Sequence, residues 1–304
     1  FAKLVVMISP QGNEIDVIAR QIANAHTLFN VICTLAWLPL IGVMVKIVKR
    51  IVPDKSDTSV IQGNAPKYLD EHVLDQPLVA MVMVSEETDR LGQNTVQVLS
   101  LLKNALHAGK DSEDFLAFHQ KRKEIHALEL QISDYITKMF TNGNLTEGQA
   151  EQVAGYLYIT NNLERISDRC RDIDHILKET SALHKSFSSI ASSQMDDSIE
   201  RVKELLEKAI LSIKNGDIDG ADEVIVIRNL MRKEERNKHK AHLDRVKNKT
   251  CDASMQEAYS SLLDNLERIA DACACIAEET KNHIQLTVFD ANNKPTISSQ
   301  TQIA

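Results

Sequence analysis

Apolar residues recur at alternating steps of three and four through most of the chain. Tyr156, Ile159, Leu163, Ile166, Cys170, Ile173 and Leu177 follow that rhythm, as do Tyr259, Leu262, Leu266, Ile269, Cys273, Ile276 and Thr280. The spacing lays each set along one stripe of an α-helix, the seam by which a helix packs in a bundle. The same rhythm predicts helices over about 78–107, 113–140 and 147–180, then over about 195–214, 217–246 and 252–285. Gly- and Asn-bearing breaks at 108–112 and 141–145 separate the first three, and a Ser-rich stretch near 185–193 divides the triplets.

The second triplet repeats the first. Shifting the chain by 103 positions lays Asn162-Leu-Glu-Arg-Ile-Ser-Asp168 on Asn265-Leu-Glu-Arg-Ile-Ala-Asp271, with six of the seven positions identical. The same shift pairs Tyr156 with Tyr259, Cys170 with Cys273 and Ile173 with Ile276. Because both cysteines sit on the apolar seam, they are expected to be core residues rather than redox groups.

Ahead of the repeats, no Asp, Glu, Lys or Arg occurs from Gln21 to Val45. That run is long enough for a membrane-crossing helix of roughly 20 residues, expected over about 21–48. Lys46, Lys49, Arg50 and Lys55 follow it, so the positive-inside bias puts everything after about residue 50 in the cytoplasm. His26 and Asn30 are the polar positions of this span, and Pro39 should bend it. Polar groups in a span usually face another helix. The expectation is therefore the C-terminal part of a larger multi-pass protein, in contact with lipid and with further spans.

The fold class read from the pattern is all-α: one transmembrane helix followed by two tandem three-helix bundles. The divisions expected are 1–52 for the membrane part, 53–76 for a Pro-, Gly- and Ser-bearing linker, and 77–182 for the first bundle. A bridge at 183–194, the second bundle at 195–286 and an unstructured tail at 287–304 complete the chain. With 304 residues, Gly 10, Pro 6 and 4% aromatics, the composition lacks the turn and strand residues that a sheet protein needs. A net charge of −8 excludes a nucleic-acid partner, which requires a basic surface. Five cysteines inside helical patterns indicate reduced thiols rather than a disulfide framework. No phosphate-cradling Gly loop, nucleophile elbow, Cys-x-x-Cys or His-Glu-x-x-His motif is present, and no enzyme is expected.

The candidate chemistry lies in the repeated acids. Glu164 and Asp168, and again Glu267 and Asp271, stand four apart and off the seam, stacked on one face of a helix. Such a pair reads either as a solvated acidic face or as a cation site. Like charges at this spacing repel by a few tenths of a kcal/mol, and a bound divalent ion would reverse that. Further ligands would come from helices carrying Glu87, Glu124, Glu204 or Glu234, and Asp172 extends the first row where the second has Cys275. His239, His242 and Arg245 form a small basic cluster, expected to be solvated surface.

The doubled Asn-Leu-Glu-Arg-Ile-x-Asp motif resembles the PhoU domain. The stretch Ala25-His-Thr-Leu-Phe-Asn30, with the apolar run through Leu38-Pro39, resembles the last part of the membrane domain of bacterial sodium/phosphate cotransporters, which often carry a C-terminal PhoU-like domain. The likeness extends over about Gln21 to Glu279. It implies an inner-membrane protein that couples sodium movement to uptake or efflux of inorganic phosphate through an upstream membrane domain, with the helical bundles as a regulatory element. It further implies a divalent metal ion on Glu164, Asp168, Glu267 and Asp271, and a second copy or a regulatory protein as partner. The sequence departs from the pattern where PhoU motifs continue with His: here the next residues are Arg169 and Ala272. The Gln-Ser-Ser repeats of the cotransporter site do not occur in this chain. Without transport, the same pattern would describe a membrane-tethered helical scaffold that binds a protein.

Overall fold

The computed structural model describes residues 5, 7–9, 15–38, 66–107, 112–182 and 187–286. Within them the chain is helical: α1 (Ile15–Trp37), α2 (Pro77–His107), α3 (Glu113–Thr141), α4 (Glu147–Ala182), α5 (Ser189–Asn215), α6 (Ile218–Lys247) and α7 (Gln256–Lys281). The chain falls into two units, 1–60 and 61–304.

In the first unit, α1 starts six residues before the expected span, and its described part ends ahead of Pro39. His26 and Asn30 are exposed along it, while the Asn24 side chain donates to Ser9 Oγ at 3.0 Å. No helix among the described residues is long and apolar enough to cross a membrane. The described part of the span expected over 21–48 does not meet that length and hydropathy by itself. Gln21, Asn24, His26 and Asn30 dilute the apolar face of α1, and 39–48 lie outside the described residues.

The second unit consists of two three-helix bundles joined through one core. Helix α4 packs on α2 and α3, α7 packs on α5 and α6, and the two bundles meet through α4 against α7 and α2 against α5. The seams fill that core: Leu163, Ile166, Cys170 and Ile173 from α4 and Tyr259, Leu262, Leu266, Ile269, Cys273 and Ile276 from α7 are buried. Each Leu or Ile so placed contributes about 1.5–3 kcal/mol of burial. Cys170 and Cys273 are wholly buried, and desolvation pushes the Cys170 thiol up to about 12 and raises that of Cys273 as well. They are core residues, as their place on the stripe predicts.

Local capping sets the helix ends. Ser112, Ser188 and Asp217 accept from the amides of Phe115, Ala191 and Gly220 at the starts of α3, α5 and α6. Because Ser188 acts as a cap, α5 begins six residues before the predicted start at Met195, and Ala191 is already buried. At the other end of α5, Gly216 takes φ 63° and closes the helix. Helix α7 stops at Lys281, short of the predicted 285, and the chain continues as a strap. Ile284 and Leu286 on the strap are buried, Tyr156 Oη donates to the Gln285 carbonyl at 3.1 Å, and the Leu286 amide donates to the Ile213 carbonyl at 3.1 Å. Gly155 on α4 is what admits it, since a Cβ there would lie 2.6 Å from Ile284.

The segment preceding α2 is also fixed. Glu87, on α2 and wholly buried, accepts from the amides of Lys67 and Tyr68 at 2.8 Å each and pairs with Arg90. Tyr135 Oη donates to the Asp70 carbonyl at 2.8 Å, and Lys138 holds Glu71 at 2.6 Å. The last part of the stretch that reads as linker is therefore pinned to the first bundle.

Candidate cation site

The repeat extends to α3 and α6, but in a different register. A shift of 106 lays the buried Phe115, Phe118, Ile125, Glu129 and Ile136 of α3 on the buried Ala221, Val224, Met231, Glu235 and His242 of α6. Under this shift His126 corresponds to Arg232 and Arg122 to Arg228, while the shift of 103 makes Glu164 and Asp168 on α4 correspond to Glu267 and Asp271 on α7.

In the first repeat, one donor atom from each of His126, Glu129 and Glu164 lies within 4.8 Å of the other two. His126 Nδ1 stands 3.9 Å from Glu129 and 3.6 Å from Glu164. Glu129 is only 5% exposed, and its Oε2 has no hydrogen-bond partner; its other oxygen accepts from Ser133 Oγ at 3.0 Å. Burial, and then the Glu164 carboxylate beside it, push the Glu129 carboxyl above the ordinary carboxylate range. A buried, under-satisfied carboxylate next to a second carboxylate and an imidazole matches the donor set of a divalent transition-metal ion such as zinc or manganese. In zinc sites such donors stand roughly 2.0–2.2 Å from the ion. The cluster opens onto a cleft of about 260 Å³ whose walls include His119, Arg122, His126, Glu164, Asp168 and Arg171.

Asp168 stays outside this set, since Arg171 takes it at 2.7 Å. Asp172 is likewise held by Arg169 at 2.9 Å. In the second repeat one side chain brings the acids together: Arg232 donates to Glu267 at 2.7 Å and to both oxygens of Asp271 at 2.7 and 2.9 Å, and Arg228 adds a contact to Asp271 at 3.6 Å. The other acids considered as ligands are engaged elsewhere: Glu87 by the lead-in amides, Glu124 by Gln120 and Lys121, and Glu234 by Arg201. Glu204 is exposed.

His126 and Glu129 are the residues that the sequence reading missed. Their signal was a His and a Glu three apart on one helix, hence on one face. Periodicity alone assigns no helix to stand opposite α4.

The model of the PhoU domain matches residues 88–176 and, a second time, residues 190–280. The chain belongs to the PhoU domain family. Each match ends beyond its acidic motif, so the two PhoU repeats coincide with the two bundles. Among curated proteins, YjbB of Escherichia coli O157:H7 is 25% identical over 263 residues, which cover 85% of this chain and 47% of YjbB. YjbB of Salmonella typhimurium strain LT2 is 23% identical over 254 residues, 83% of this chain and 46% of that protein. The name of both relatives assigns them, provisionally, to inorganic phosphate export. The PhoU chain thus spans about half the length of the relatives it matches and has a phosphate-related kinship. No solved structure matches it.

The basic cluster of the second PhoU repeat is not the solvated surface expected. His242 is 2% exposed and stacks on the Tyr259 ring at 4.2 Å, while Arg245 donates to Gln194 at 3.0 Å and His239 meets Asp264 at 3.3 Å. His242 falls on the buried stripe of α6, and its polar type hides that position in the sequence. Burial first, then Arg245 and His239, hold the His242 imidazole below its ordinary value. A histidine depressed in the folded state contributes stability that is complete above about 6.5 and is lost as pH falls through the folded value. Thermal unfolding of the wild type is therefore expected to lose stability between pH 7 and 5, by at most about 1.4 kcal/mol per pH unit from this group. His242→Gln should flatten that slope, and an unchanged slope would show that another group sets it.

Proposed function

We propose that this chain is the regulatory C-terminal part of a sodium-dependent inorganic phosphate transporter of the inner membrane, with the PhoU repeats on the cytoplasmic side. The observation that carries the reading is the double PhoU match in a chain that aligns with about half of relatives named for phosphate export. The likeness of residues 25–39 to the end of the sodium/phosphate membrane domain supports sodium as the coupling ion, and the basic flank from Lys46 to Lys55 supports the orientation. In this reading phosphate passes through the membrane part, and the bundles bias it between conformations according to a divalent ion held by His126, Glu129 and Glu164. Such a bias requires that the ion bind one conformation more tightly than the other.

Flux of labelled phosphate through the longer protein in proteoliposomes tests this. Sodium-gradient-dependent flux is expected, modulated by zinc or manganese on the bundle side, with the modulation absent in Glu164→Ala. Absence of any phosphate flux, with a protein partner retained by the bundles, would replace this reading with that of a tethered scaffold.

A further inference from the structure

The two repeats share a fold and a pair of acids but differ in what faces those acids. In the first repeat the residue opposite Glu164 is His126, and a buried Glu129 Oε2 lacks a partner. In the second, Arg232 stands at the corresponding place and reaches Glu267 and Asp271 through three hydrogen bonds of 2.7–2.9 Å. We propose that Arg232 is a built-in counter-cation that takes the place of a metal ion in the second repeat, so that the chain holds one divalent ion, in the first repeat alone. This inference rests on the reading of the first repeat as a cation site.

Charge supports it. Glu267 and Asp271 carry two negative charges, and Arg232 and Arg228 supply two positive ones beside them. Nothing is left over to attract a divalent ion. Glu235, the counterpart of Glu129, likewise has one oxygen without a hydrogen-bond partner, but its other oxygen is held by the Lys238 ammonium at 3.0 Å and by Ser198 at 2.8 Å, so its charge is matched. The position of Lys238 is filled in α3 by Ile132, which leaves Glu129 with no ammonium neighbour of that kind. Geometry supports it too. A guanidinium shared between two carboxylates makes charge-assisted bonds, and being tethered it competes at a high effective concentration. An incoming ion must expel it from both acids at once. The second repeat is then clamped between α6 and α7 under all conditions, and only α3 against α4 responds to metal.

The test is the stoichiometry of zinc and of manganese bound to the metal-free chain, read by native mass spectrometry and by calorimetry. The wild type is expected to bind one equivalent, Arg232→His two, and Arg232→Lys, which keeps the charge, one. Circular dichroism of each variant verifies that the bundles remain folded. Glu164→Gln should remove the single equivalent of the wild type, whereas Glu267→Gln should leave it. Two equivalents in the wild type, or one in both the wild type and Arg232→His, would overturn the proposal. No ion in the wild type with one in Arg232→His would overturn the reading of the first repeat while upholding the role of Arg232.

Discussion

Replacing Glu129 with glutamine is expected to abolish metal binding in the first repeat without weakening the metal-free fold. Outer-shell partners of metal ligands typically change affinity by 10–100-fold, so a direct carboxylate ligand should account for at least about a hundredfold, roughly 2.7 kcal/mol. The effect on stability has the opposite sign. Glu129 is buried beside Glu164, and its carboxyl lies above the ordinary range in the folded protein. An acid raised in this way contributes stability that is present below about 4.5 and lost as pH rises through the folded value. At neutral pH the metal-free wild type therefore carries the cost of burying this acid. Glutamine has the same shape, keeps the acceptor for Ser133 Oγ and carries no charge. Metal-free Glu129→Gln should melt above the wild type at pH 7, with the difference narrowing in acid. Calorimetry with zinc and thermal melts with a chelator check both parts; undiminished zinc affinity would remove Glu129 from the ligand set.

The largest loss of stability is expected from Glu87→Ala. Glu87 is wholly buried, yet its charge is matched by two backbone amides and Arg90. Removing the carboxylate leaves the amides of Lys67 and Tyr68 without that acceptor and Arg90 without that partner. Hydrogen bonds to charged groups are worth about 1.5–3 kcal/mol each, and breaking a buried pair costs about 3–5 kcal/mol. The melting temperature should fall on the order of 10 °C for a unit of this size. Limited proteolysis should cut the released segment at 66–76 well before the helices. A variant that melts like the wild type and resists cleavage there would show that Tyr135 and Lys138 hold the segment by themselves.

The bundles were legible because apolar stripes and a repeated motif are properties of one helix at a time. Leu163, Ile166 and their partners on α7 lie where the three-and-four spacing puts them. What faces what was not legible. Although the connection between α6 and α7 is the longer one, α7 begins closer to Glu267 than α4 does to Glu164, so the repeat slips in register between its second and third helices. The shift of 103 that aligns α4 with α7 would pair Glu129 with Arg232 and conceal the equivalence of Glu129 with Glu235. Only packing reveals that His126 and Arg232 occupy matching places. His242 was misread for a related reason: a polar side chain on a core stripe looks like surface until Tyr259 is seen stacked on it. Residues 282–286 extend a helical pattern through Ile284 but leave the helix, because His283 takes φ 61° and Gly155 opens a place for Ile284 on α4. The apolar run from Leu28 to Val45 is equally plain in sequence; on α1 it follows the more polar turns carrying Gln21, Asn24 and His26, and the run beyond Leu38 lies outside the described residues.

Hydrogen exchange of the second unit, recorded with and without saturating zinc, tests most directly whether two like bundles have unlike chemistry. Zinc is expected to slow exchange in the turns of α3 and α4 around His126, Glu129 and Glu164, and to leave those of α6 and α7 around Arg232, Glu267 and Asp271 as they were. Equal slowing in both bundles, or slowing in the second alone, would contradict it.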